Sequence, residues 1–213
     1  MVDLIDQYYR STSQAEARQL QRGQLCWAPG FYLPEFMDVL ALEYYDPRDE
    51  RNNRYRLSRE PQTLFEHTPV HELHLTSDEE LIVVKGKRRL FMVASQAPGD
   101  WRHGGARLRE RGYVCLPLYS FHDEDTPELR ARVKALEYPW WIYLPEDVNL
   151  RMREGFIRLD RLQVISQRLL NPMIVTLTED VVLLISEWLR YYLTEEIDPF
   201  FLEYRQELLK GLP

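Results

Sequence analysis

The residues from Thr178 to Tyr192 constrain the fold more than any other stretch. Val181, Leu184, Ile185, Trp188, Leu189 and Tyr192 recur at i, i+3, i+4, i+7, i+8 and i+11. That spacing is one apolar stripe of an α-helix. Thr178 is a good N-cap, and Glu179 and Asp180 suit the positive end of the helix dipole. A helix apolar on one side must bury that side against another layer. The preceding residues, 156–165, are rich in β-formers. Residues 154–193 are therefore predicted to form a strand, a short turn and a strongly amphipathic helix.

Upstream, strands are predicted over 24–28, 81–84, 90–94, 113–118 and 140–144, with a half-exposed strand over 70–75. A short helix is expected over 13–22, ended by Gly23. Apolar residues 40–45 and 55–57 flank Asp46-Pro47-Arg48-Asp49, a turn signal. A hairpin fits this region, and a helix over 34–45 is the alternative. Lys85-Gly86-Lys87 reads as a tight turn. Residues 96–112 carry Pro98, Gly99, Gly104, Gly105 and Gly112 and read as a loop. Thr126-Pro127-Glu128 opens a helix reaching about Leu136, and Asp198-Pro199 caps another running towards Leu209. The fold class is mainly β with flanking helices (α+β), either a small barrel or a strongly bent sheet.

With 213 residues and 45% hydrophobic content, the chain can build a sizeable core within one domain, 1–213. Its net charge of −7 argues against a uniformly nucleic-acid-binding surface. One region departs from that balance. Residues 85–111 hold eight bases (Lys85, Lys87, Arg88, Arg89, Arg102, Arg107, Arg109 and Arg111) against Asp100 and Glu110, a local +6 that leaves −13 elsewhere. Trp101 and His103 lie in the same stretch. Such a segment suits a phosphate backbone and stacking of an unpaired base. It equally suits a solvated loop whose arginines pair with acids elsewhere.

Other constellations point to structure before chemistry. Cys26 and Cys115 sit in apolar runs and read as buried, reduced thiols. His71 and His74 lack the further ligands that a zinc site needs. Ser120, His122 and Asp123 read as a polar loop before the Thr126 helix, with a hydrolase triad as the alternative. Tyr138, Trp140, Trp141 and Tyr143 read as core or dimer interface, or as a ligand surface. The first residues do not resemble a signal peptide, and no apolar run reaches membrane-span length, so a cytoplasmic location is expected.

The segment 155–170, GFIRLDRLQVISQRLL, followed by Leu177-Thr178-Glu179, resembles the end of PemK/MazF-type toxins. It supplies Asp160, Leu162 and Arg168-Leu169 in the family's order. Arg22-Gly23-Gln24-Leu25-Cys26-Trp27 is similar to the family's opening strand. Arg89 to Ser95 and Tyr113 to Ser120 are similar to two later ones. The resemblance covers roughly half of the chain. It implies a small SH3-like MazF/PemK-type β-barrel with an N-terminal extension (1–22), an insertion after the first strand (31–80) and an extra C-terminal helix (195–213). It further implies a homodimer, a metal-independent endoribonuclease acting on single-stranded RNA or an RNA-binding descendant of one, an antitoxin or other protein partner, and no cofactor. A non-catalytic interaction module on the same barrel is the alternative.

By the same resemblance the catalytic cation falls on Arg89, where a guanidinium can stabilise a developing phosphorane. Tyr119 stands where the family has a threonine, with Ser120 beside it as a second candidate hydroxyl. Lys87, Arg88, Trp101, Arg102, Arg107 and Arg109 would contact RNA.

Overall fold

Alternation between apolar neighbours decides the architecture. Leu25, Met92 and Leu116 belong to one buried cluster, while Cys26, Phe91, Val93 and Cys115 belong to another. Successive strand residues point to opposite faces, so these strands are buried on both sides. A computed structural model of the chain describes residues 5–32, 38–44, 46–58, 82–96, 102–103, 106–107 and 112–212.

In chain order the elements are β1 (Tyr9–Ser11), α1 (Gln14–Ala17), β2 (Gln24–Phe31), β3 (Asp38–Tyr44), β4 (Arg54–Ser58), β5 (Ile82–Val83), β6 (Gly86–Val93), β7 (Arg102–His103) and β8 (Ala106–Arg107). There follow β9 (Gly112–Ser120), α2 (Pro127–Lys134), β10 (Trp141–Leu144), β11 (Gly155–Arg158), β12 (Gln163–Ser166), β13 (Asn171–Leu177), α3 (Glu179–Thr194) and α4 (Pro199–Lys210). The chain divides into two compact units, 1–30 with 88–213, and 31–87.

The larger unit is built on an eight-stranded sheet of order β1-β13-β2-β6-β9-β11-β10, with β12 also pairing β9. The pairings β1–β13, β13–β2, β6–β9, β9–β11, β9–β12 and β10–β11 are antiparallel. The described strands form an open path from β1 to β10, with no closing ladder among them. The protein is thus α+β, mainly antiparallel sheet with a few helices. Helix α3 lays Val181, Leu184, Ile185 and Trp188 on the face carrying Leu25, Met92, Leu116, Ile142 and Ile157. Trp188 is fully buried. Gly23, at φ +89°, turns the chain into β2 where a Cβ would meet Val182 at 2.8 Å.

The smaller unit contains a three-stranded sheet of order β4-β3-β5. The 40–57 region is a hairpin, not a helix. Asp46 holds its turn, accepting from the Arg48 and Asp49 amides at 2.8 and 3.3 Å and from the Asn52 amide group at 2.9 Å.

Several expectations need correcting. The turn expected between 165 and 178 is largely strand β13, which lies between β1 and β2 in the sheet. The single strand expected over 156–165 is two strands, parted by a 3₁₀ turn at Leu159–Arg161. Both halves pair the same edge of β9, and the interruption falls beside Pro117, which has no N–H for a ladder. The loop at 96–112 contains the short β7–β8 ladder. Gly86 and Lys87 already belong to β6 rather than to a turn. The first helix is one capped turn, with Ser13 and Glu16 closing a capping box. Thr178 begins α3, yet its hydroxyl donates to the Gln7 carbonyl at 2.7 Å instead of capping. The strand expected at 70–75, with His71 and His74, lies outside the described residues.

Candidate nucleic-acid interface

Cross-strand register brings the predicted cation and the predicted hydroxyl together. Phe91 lies opposite Pro117, so continuing that antiparallel register by two residues sets Arg89 opposite Tyr119. On the other side of β9, Phe156 lies opposite Tyr119, and Tyr143 opposite Phe156. Arg158 faces Trp141 one step along. Side chains at paired positions share a face. One face of the sheet therefore carries Arg89, Tyr119, Phe156, Arg158 and Trp141 on adjacent strands.

The side chains form a column. The Arg89 guanidinium carbon sits 4.0 Å from the Tyr119 ring centre. Tyr119 stacks on Phe156 at 5.8 Å and 13°, and Phe156 on Trp141 at 4.7 Å and 17°. Tyr138 and Phe121 extend the cluster at 5.0 Å from Trp141 and 5.2 Å from Phe156. Arg158 leans over both Tyr119 and Trp141, at 5.7 and 5.2 Å. On the opposite face of the sheet, Arg88 of β6 covers Trp27 of β2 at 5.2 Å, and both are exposed. Stacking holds each guanidinium plane against a ring and fixes its orientation.

Asp160 binds the Arg158 side chain, with Nε donating to Oδ1 at 3.0 Å and Nη2 donating to Oδ2. That hydrogen bonding raises the Arg158 pKa further. The acid comes from the 3₁₀ turn that follows β11, two residues after the arginine it orients.

Beside the column lies a second polar group with a different role. Tyr143 donates to Glu154 Oε1 at 2.7 Å, Arg130 Nη1 to Oε2 at 2.9 Å, and Lys134 Nζ lies 3.1 Å from Oε1. Burial opposes ionisation of Glu154. The Tyr143 hydroxyl, Lys134 and Arg130 outweigh it and hold the carboxyl below its ordinary range. Burial, then the Glu154 hydrogen bond, pushes the Tyr143 phenol well above its ordinary value. This network ties α2 to β10 and β11.

The other predicted residues are placed as follows. Ser120 follows Tyr119 and is exposed, but strand alternation turns it to the opposite face, away from Arg89. Lys87 is exposed and belongs to the 31–87 unit. Arg102 and Arg107 are cross-strand partners in the β7–β8 ladder. Trp101 and Arg109 lie outside the described residues. Tyr143 is buried and Trp141 half-buried, so the aromatic run divides between core and surface. His122 and Asp125 form a polar turn, with the His122 N–H donating to the Asp125 carboxylate at 2.6 Å, next to the helix capped by Thr126.

Cys26 and Cys115 are buried and free, and burial pushes both thiols up to about 12. Among the described residues, no three His, Cys, Asp or Glu side chains gather as a metal site, and no helix is long and apolar enough to cross a membrane.

Sequence reading missed Phe156, Arg158 and Asp160 as members of the site. Their signal was the alternation Phe156–Arg158 on one strand. It becomes specific only when register sets it beside Tyr119. Compared with protein-family models, curated proteins and solved structures, the chain matches none of them.

Proposed function

We propose that this protein binds single-stranded RNA on the Arg89–Tyr119 face, on a fold of MazF/PemK type. The observation that carries the reading is the Arg89 guanidinium held 4.0 Å over Tyr119 in a column that continues through Phe156 and Trp141. Arg89 and Arg158, which share that face, supply phosphate contacts. Both faces of Tyr119 are already occupied, one by Arg89 and one by Phe156, so Tyr119 orients cations and does not stack a base.

Cleavage is the stronger form of the proposal. Arg89 would stabilise charge on a scissile phosphate, and the Tyr119 hydroxyl would stand where the family has its threonine. Ser120 faces away and supports neither step. The alternative, a non-catalytic protein-interaction module, gains from the closure of the column on itself and from the pairing of Arg158 with Asp160.

The test uses the full chain, a labelled mixed-sequence single-stranded RNA and EDTA throughout. Anisotropy at low and moderate salt reads binding, and a denaturing gel of the same mixtures reads cleavage. Binding that weakens as salt rises, and weakens again in Arg89→Ala, supports the RNA reading. Cleavage lost in Arg89→Ala supports the enzyme. Absence of binding at low salt removes both and leaves the interaction module.

A further inference from the structure

On the helix-covered side of the sheet, away from the Arg89 column, a groove runs between α3 and the start of the sheet. Its floor is apolar: Met92 and Ile185 at 1% exposure, with Ala94 and Leu189 beside them. Leu193, 62% exposed, forms its lip, and Arg22 and Arg190 stand at its edges. The cavity holds about 320 Å³.

The two arginines differ. Arg190 donates to Glu187 at 2.6 Å, an ordinary i,i+3 pair. Arg22 donates to the Ser186 hydroxyl, which in turn donates to the Val182 carbonyl at 2.5 Å. Among the described residues, Arg22 therefore meets a neutral oxygen and no carboxylate. A guanidinium has five N–H donors in a planar fork matched to a carboxylate. In a chain of net charge −7, an exposed cation that meets only a hydroxyl stands at the mouth of a groove whose accessible apolar surface is that of Ala94, Leu189 and Leu193.

We propose that this groove binds a medium-chain carboxylate. The head would sit on Arg22 and the alkyl tail along Ala94, Leu189 and Leu193, over the Met92 and Ile185 floor. Size sets the chain length. At roughly 30 Å³ per non-hydrogen atom, the share of a water molecule in the liquid, the volume suits about ten atoms, the number in an eight-carbon carboxylate. Apolar lining with a few convergent polar groups is the usual composition of a small-ligand pocket. The inference is independent of the RNA reading, because none of its residues belongs to the Arg89 column.

Calorimetric titration of the full chain with octanoate tests it, with octanol as the uncharged match. The expected result is saturable one-to-one binding of octanoate, with octanol at least about tenfold weaker. Arg22→Gln should bring octanoate down to the octanol level and leave octanol unchanged. Leu193→Asp, at an exposed position that leaves the fold intact, should weaken octanoate further by placing a like charge at the lip. Circular dichroism and thermal unfolding would verify that both variants are folded. Octanoate binding that does not saturate, or that Arg22→Gln leaves unchanged, overturns the proposal.

Discussion

Arg130 and Lys134 on α2, and Arg88 and Arg89 on β6, are all cations beside aromatic rings, yet they meet different chemistry. Arg130 and Lys134 converge on Glu154, whose charge they share with the Tyr143 hydroxyl. Their charge is answered within the protein, and the result is a helix fastened to two strands. Arg88 and Arg89 lie over the faces of Trp27 and Tyr119. A ring face fixes the orientation of a guanidinium. Local sequence charge does not separate the two groups. The group opposite each cation, chosen by strand register, does.

The largest expected effect is at the β9–β11 contact beneath Tyr119. A Cβ on Gly155 would lie 2.0 Å from the Tyr119 carbonyl oxygen and 2.9 Å from Ser120 Cα, both backbone atoms that cannot move aside. Gly155→Ala should cost about 3 kcal/mol or more, at the upper end of overpacking effects, and should disturb the Tyr119–Phe156 stack. Thermal unfolding with near-ultraviolet circular dichroism reads both. A variant as stable as the parent would show that β9 and β11 do not approach as described.

Next is the Glu154 network. Glu154→Gln removes the charge that Arg130 and Lys134 share and should destabilise by about 1–2 kcal/mol, or several degrees in Tm, with little change in RNA affinity. A loss of RNA binding larger than the loss of stability would place Glu154 in the site instead.

On the column, Arg89→Ala should weaken RNA binding by about 1–3 kcal/mol, with Tm close to that of the parent. An unchanged affinity would remove Arg89 from the interface.

The smallest effect is the pH dependence. Glu154 has a depressed carboxyl in the folded state, so its contribution is complete above the unfolded value of about 4.3 and fades as pH falls through the lower folded value. Tyr143 has a raised phenol. Its contribution is complete below the unfolded value of about 10 and fades as pH rises further. Between these limits the network is indifferent to pH. Chemical denaturation of parent and Glu154→Gln should therefore differ most near neutrality and converge in acid. Parallel curves down to about pH 2 would contradict the assignment.

Much of the fold was readable because local signals sufficed. The stripe from Val181 to Trp188 is buried as its period required, and Thr126 and Asp198 cap the helices they precede. The boundaries that failed depend on distant partners. Residues 171–177 resemble a turn locally because of Asn171 and Pro172, but they pair with β1 and β2. The break within 155–166 follows from Pro117, some forty residues upstream. The site was half readable for the same reason. Arg89 and Tyr119 came from a resemblance, and Ser120 was admitted beside them although alternation turns it away. Phe156, Arg158 and Trp141 join only through the β9–β11–β10 register.

On the proposed reading, Arg89 stacked on Tyr119 binds RNA, whereas Arg130 paired with Glu154 fastens α2 to the sheet. The salt dependence of single-stranded RNA affinity in Arg89→Gln and Arg130→Gln, measured beside their unfolding midpoints, tests it most directly. Each phosphate contact adds about 0.7 to the slope of log affinity against log salt for a single strand. Arg89→Gln should lower the slope by about that amount with Tm nearly unchanged, whereas Arg130→Gln should keep the slope and lose Tm. Equal slopes in both variants, or a slope lost only in Arg130→Gln, would contradict the account.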